Sequence, residues 1–104
     1  HGRVRRRVFG IAAGSRRLTR LQVRERDLLA DQVVEVMDVD PKGVAARSGV
    51  RAGDWIIAMN DRVVSSVDDL HRLLARWPHD APVELTIVRG EDKQIVAIDW
   101  QSST

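Results

Sequence analysis

Three histidines, His1, His71 and His79, are the side chains of this sequence best suited to proton transfer near neutral pH or to holding a metal. Their spacing serves neither purpose: His71 falls inside a helical pattern, His79 follows Pro78 in a loop, and His1 lies far from both. The adjacent carboxylates Asp68 and Asp69 stand at a helix start, where complementing the helix dipole accounts for them. The serines fall at turns and caps, which their backbone hydrogen bonding explains. There is no Gly-x-Ser-x-Gly, His-Glu-x-x-His, phosphate loop or Gly-x-Gly-x-x-Gly. Cysteine is absent, which excludes thiol catalysis, disulfides and Cys-ligated zinc and leaves the compartment open. The expectation is a chain without catalytic residues, metal site or cofactor of its own.

What remains is recognition chemistry. Phe9-Gly10-Ile11 places a glycine between two apolar residues, directly after an arginine run. Glycine permits the backbone conformation in which successive N–H groups point outward as an anion nest. If the strand after such a nest has a free edge beside a helix, an extended peptide can add to it with its terminal carboxylate in the nest. The charge is distributed to match. Residues 1–31 hold nine Arg against Glu25, Asp27 and Asp31, a net of +6, whereas residues 32–104 hold eight basic and twelve acidic residues, a net of −4. The arm, chiefly Arg3, Arg5, Arg6, Arg7, Arg16, Arg17 and Arg20, has no interleaved aromatics for base stacking, so nucleic acid is not expected as a partner.

The elements that must position these groups fit one small domain. The chain has 104 residues, 43% hydrophobic and 31% charged, with only one Phe, three Trp and no Tyr, so Val, Leu, Ile and Ala must fill the core. No apolar run approaches the roughly 20 residues that cross a bilayer. A chain beginning His1-Gly2-Arg3, without Met, reads as a piece of a longer one. Residues 8–13 form an apolar run, and residues 14–31 suit a short strand leading into a loop or helical turn. Residues 33–39 (VVEVMDV) have strand alternation and end at Asp40-Pro41-Lys42-Gly43; residues 44–48 form a helical turn closed by Gly49. Strands follow at 55–59 and 62–64. Ser65 or Ser66 then caps the best helix, with Val67, Leu70, Leu73 and Leu74 at helical spacing and Pro78 as its stop. Strands at 83–88 and 94–100, joined by Arg89-Gly90-Glu91-Asp92, complete the pattern. This is an α+β domain without βαβ alternation.

At this point the order of features resembles a PDZ domain of the bacterial HtrA (Deg) type of trypsin-like serine protease, from about Val8 to Trp100. The most specific stretch is residues 36–60 (VMDVDPKGVAARSGVRAGDWIIAMN): strand, Pro, small-residue helical turn, "AG", "GD", apolar strand, Asn. Residues 65–70 (SSVDDL) are similar to the start of that family's groove helix, and residues 83–89 (VELTIVR) to its penultimate strand. The resemblance implies a small β-sandwich or partly open barrel of five to six strands with one long and one short helix. It also implies site residues. The N–H groups of Phe9, Gly10 and Ile11, beginning at Val8, would hold a ligand's carboxylate, and Ile11, Ala12 and Ala13 would pair with the ligand strand. Val67, His71 and Leu74 share one helix face at i, i+4 and i+7 and would meet the ligand, leaving Leu70 and Leu73 to the core. Phe9, Ile11 and Leu74 would line a pocket for an apolar last side chain. Arg7 would steer the anionic terminus. Val67 stands where many PDZ domains carry His, which shifts preference toward an apolar ligand residue, and protonation of His71 would couple binding to mildly acidic pH. A bulky β-branched residue at Gly10 should abolish carboxylate binding and leave the fold largely intact.

The implied organisation is a basic linker stub at 1–7, a PDZ domain at 8–101 and a tail at 102–104. The implied function is non-catalytic: capture of apolar C-terminal peptide ends of substrate or regulatory proteins, by strand addition, within a periplasmic or cell-envelope serine endopeptidase. Its own protease domain would be a partner, and a homo-oligomer is possible in the full-length protein. Two alternatives stand beside this: a module for assembling the protease oligomer, or a binder of anionic surfaces through the Arg-rich arm.

Overall fold

Alternation of buried and exposed side chains builds the sheet. A computed structural model describes residues 6–8, 10–77 and 81–98. In β6 (Val83–Arg89), Val83, Leu85 and Ile87 are buried and Glu84 is exposed between them. Its partner β7 (Asp92–Ile98) contributes Val96 and Ile98 to the same core and turns Ile95 outward. β3 (Gln32–Val39) supplies Val34 and Val36, β4 (Trp55–Met59) supplies Ile56 and Met59, and β2 (Ile11–Arg17) supplies Ile11 and Ala13. The short strands β1 (Arg6–Val8) and β5 (Arg62–Val63) complete the set. Every pairing is antiparallel and the sheet order is β1-β2-β3-β4-β6-β7, with β5 paired to β4 alone.

The expected α+β class stands, with differences of detail. Gly10 divides the apolar run 8–13 between β1 and β2, and the described residues form seven strands. The boundary expected between residues 7 and 8 falls within β1. Residues 14–31, expected as a short strand leading into a loop or helical turn, hold the end of β2 and then α1 (Arg20–Glu25). Its capping box is complete: the Gln22 amide donates to Thr19 Oγ1 at 3.1 Å, and the Thr19 amide donates to Gln22 Oε1 at 2.9 Å.

The other two helices lie where the sequence places them. α2 (Val44–Ser48) ends at Gly49, whose φ of +106° is the left-handed closure that glycine adopts without a Cβ penalty. α3 (Val67–Ala75) is capped by Ser66, whose Oγ accepts from the Asp69 amide at 3.1 Å. Asp69 in turn accepts from the Ser65 hydroxyl at 2.8 Å and the Ser65 amide at 3.1 Å. These bonds, with Arg72 nearby, hold the Asp69 carboxyl below its ordinary value. α2 packs on β7, and α3 on β2. His1, Phe9, Pro78 and His79 lie outside the described residues.

The arginines of the basic segment are partly structural. The Arg16 and Arg26 guanidinium carbons sit 5.6 and 5.3 Å from the centre of the Trp55 ring. Arg16 also pairs with Glu35 at 3.2 Å, and Arg26 Nε donates to the Gly90 carbonyl at 3.2 Å. With Lys93 Nζ donating to the Asp27 carbonyl at 2.8 Å, these contacts fasten the α1 segment across the β6–β7 turn.

Candidate functional site

The site is built where β2 begins. Gly10 has φ +81°, a conformation that L side chains rarely adopt. Its carbonyl accepts from the Asp40 amide at 2.8 Å, and a Cβ placed on it would stand 3.1 Å from the Gly43 Cα. The loop after β3 thus closes on Gly10 from behind. That loop is itself fixed: Asp40 Oδ1 accepts from the Lys42 amide at 3.0 Å, and the Asp40 carbonyl accepts from the Gly43 amide at 2.9 Å. Asp40 and Gly43 are positioning residues that sequence reasoning read only as a turn. The contact between them and Gly10 is tertiary and leaves no local signal.

From Gly10 the chain runs straight into β2. Ile11 and Ala13 are fully buried in the core cluster, while Ala12, also buried, lies outside that cluster. One side of β2 pairs with β3, from Ile11 opposite Val39 to Arg17 opposite Gln32, with a bulge between Ala12 and Ala13. The other side carries β1: Val8 faces Ile11, Arg7 faces Ala12 and Arg6 faces Ala13. Only the backbone is described for residues 6–8 and Phe9 is not described, so the steering role of Arg7 and the lining role of Phe9 concern side chains outside the described structure.

α3 stands beside β2, tied by one bond that the sequence did not reveal. Ser15 Oγ accepts from the Val67 amide at 3.2 Å, satisfying an unpaired N–H of the first helical turn. The helix face expected to meet a ligand is made of Val67, His71 and Leu74. Val67 is 6% exposed and belongs to the core cluster, so it serves the core as well. Leu74 packs on the cluster from its margin, as does Leu73. His71 is half-buried, and its Nε2 is shielded from solvent without a hydrogen-bond partner. A buried polar atom left unpaired is uncommon and calls for a partner.

Two other cavities involve none of the expected site residues. One of about 100 Å³ is lined by Leu28, Leu29, Ile57, Val63 and Lys93, among others. A cleft of about 250 Å³ lies between Arg62 and the outer face of α3, at Arg72, Leu73 and Arg76. Among the described residues, no three His, Asp or Glu side chains converge as metal ligands would.

Comparison with known proteins identifies the family and the fold. Residues 35–89 match the family model of a PDZ domain. The chain is 35% identical over 78 residues to a probable periplasmic serine endoprotease, DegP-like, from Halomonas elongata, covering 75% of this chain and 16% of that protein. It is 33% identical over 101 residues to a probable periplasmic serine protease do/HhoA-like from Haemophilus influenzae, covering 97% of this chain and 21% of that one. The chain therefore spans about a fifth or less of these relatives. Among solved structures, the HtrA3 PDZ domain bound to a phage-derived ligand superposes with a TM-score of 0.64 at 26% identity, over 93% of this chain and 86% of that one. Family model, relatives and superposition converge: the chain belongs to the PDZ domain family, in the form carried by DegP- and HtrA-like serine proteases.

Proposed function

We propose that this domain captures extended peptides by a free carboxyl end, adding them as an antiparallel strand to β2 opposite α3. The observation that carries this reading is the junction at Gly10. A left-handed glycine, backed by Asp40 and Gly43, leads directly into a strand whose outer edge runs beside α3. The carboxylate would rest on the N–H groups around Gly10, beginning at Val8 and including Phe9 and Ile11. The ligand backbone would pair with Ile11, Ala12 and Ala13, and its side chains would meet Val67, His71 and Leu74. The Nε2 of His71 supplies a polar atom for the ligand to satisfy. An apolar last residue fits the Ile11 and Leu74 surroundings, and the ligand named with the HtrA3 PDZ domain, FGRWV, ends in Val.

In the whole protein, this domain would read peptide ends for a periplasmic serine endopeptidase, presenting substrate or regulating proteolysis, as the names of its relatives suggest. An anionic-surface role for the Arg-rich segment draws less support, because Arg16 and Arg26 are engaged with Trp55, Glu35 and Gly90.

The test is a calorimetric titration of FGRWV with a free carboxylate beside its C-terminal amide. Charge-assisted hydrogen bonds to a carboxylate are worth about 1.5–3 kcal/mol, so the acid should bind at least about tenfold more tightly. Equal affinity for acid and amide would remove the carboxylate from the account.

A further inference from the structure

We propose that β1 is an internal occupant of the ligand edge, so that peptide capture and release of β1 are a single exchange. This rests on the peptide-binding reading above and adds to it a control that the topology carries by itself. β2 has two sides, and β3 takes one of them along its whole length. β1 takes the other over Ile11, Ala12 and Ala13, the same three residues at which a ligand strand would pair. Direction matches as well as position. A ligand whose carboxyl end lies at Gly10 must run antiparallel to β2, with its last residue opposite Ile11. β1 runs antiparallel to β2, and Val8, its last residue, is opposite Ile11. β1 and the ligand therefore compete for the same backbone donors and acceptors, each of which serves one strand at a time.

The exchange is physically accessible. β1 is three residues long and is joined to β2 through Phe9 and Gly10 only. A strand of three residues presents few ladder bonds to be broken. β2 also continues past β1: from Gly14 to Arg17 its pairing on the α3 side has no strand partner among the described residues. A ligand can dock first on that stretch beside Ser15 and then displace β1 toward Gly10. The apparent affinity is the intrinsic affinity multiplied by the fraction of molecules in which β1 has left.

The absence of cysteine makes the test direct. Arg7 and Ala12 face each other across the β1–β2 pair, within the separation at which opposed residues can be bridged. In the double variant Arg7→Cys/Ala12→Cys, oxidation locks β1 on the edge and reduction frees it within one and the same protein. The expected result is that the bridge closes, oxidised protein loses FGRWV affinity by about tenfold or more relative to its reduced form, and Arg6→Pro, which removes a β1 donor opposite Ala13 and leaves Arg7 in place, binds a few-fold more tightly than wild type. Equal binding by the oxidised and reduced forms would overturn the exchange while leaving the peptide reading in place. So would an Arg6→Pro protein no tighter than wild type, or cysteines that do not close. If neither wild type, reduced double variant nor Arg6→Pro binds FGRWV, the peptide reading falls and the exchange falls with it.

Discussion

Asp54→Ala is expected to cost the domain about 3 kcal/mol and to lower its melting temperature by roughly 12–20 °C. Asp54 is the one charged side chain that the described core buries, at 2% exposed. It accepts from Arg89 Nε at 2.9 Å and Nη2 at 2.7 Å, and from the Arg51 amide at 2.9 Å. Arg89 Nη2 also reaches the Gly49 carbonyl at 2.9 Å. The end of β6, the close of α2 and the turn before β4 are thereby held by one two-pronged pair. The Asp54 bonds raise the Arg89 guanidinium above its ordinary value, which marks them as favouring the charged form. Removing Asp54 leaves an unpaired amide and a guanidinium facing the place of its lost partner. The lower end of the range for broken buried pairs applies, because the Arg89 side chain is 29% exposed and can take up water. Asp54→Asn should fall between, since it keeps an acceptor and loses the charge. Thermal and urea unfolding check this, and a loss below about 1 kcal/mol would reduce the pair to the energetics of an ordinary surface contact.

The second large effect is at Gly10. Gly10→Val is expected to weaken FGRWV binding by at least about tenfold and to destabilise the domain by about 2 kcal/mol or more. The sequence alone suggested that such a change would leave the fold largely intact. The structure revises that expectation, because a Cβ at Gly10 meets not only a positive φ but the Gly43 Cα at 3.1 Å, and a backbone atom cannot swing aside. Gly90 is the control. It has φ +64° with no atom within 4 Å of a built Cβ, so Gly90→Ala carries backbone strain alone. Unfolding curves of Gly10→Ala and Gly90→Ala should differ, with Gly10→Ala the more costly. Similar losses at both positions would mean that the Gly43 contact yields easily.

These two positions show how far the sequence reaches. Strand alternation in residues 33–39 and 83–89, the Ser66 cap and the Gly49 closure are local patterns with local causes, and each element lies where its pattern puts it. α1 carried a legible signature, Thr19 followed by Gln22, but six residues without a buried side chain give no apolar period to support it. The arginines were the least transparent. In sequence Arg16 and Arg26 belong to a basic arm, and only the sheet brings Trp55 and Glu35 beneath them. The pairing of β1 was missed for a different reason: Val8 and Ile11 close a two-residue hairpin loop, but three residues, two of them Arg, give no strand alternation to show that β1 lies along Ile11–Ala13. The residues proposed for the site were therefore named from sequence, whereas the pairing of β1 along Ile11–Ala13 was not.

If a peptide adds to β2 with its carboxyl end at Gly10, isotope-filtered nuclear Overhauser spectroscopy of labelled domain with unlabelled FGRWV should detect it. The terminal Val is expected to contact Ile11 and Leu74, with antiparallel backbone contacts running from Ile11 toward Ser15 beside Val67 and His71. Contacts confined to the cavity at Leu28 and Lys93, or to the Arg62, Arg72 and Arg76 cleft, would place the peptide elsewhere and overturn strand addition at β2.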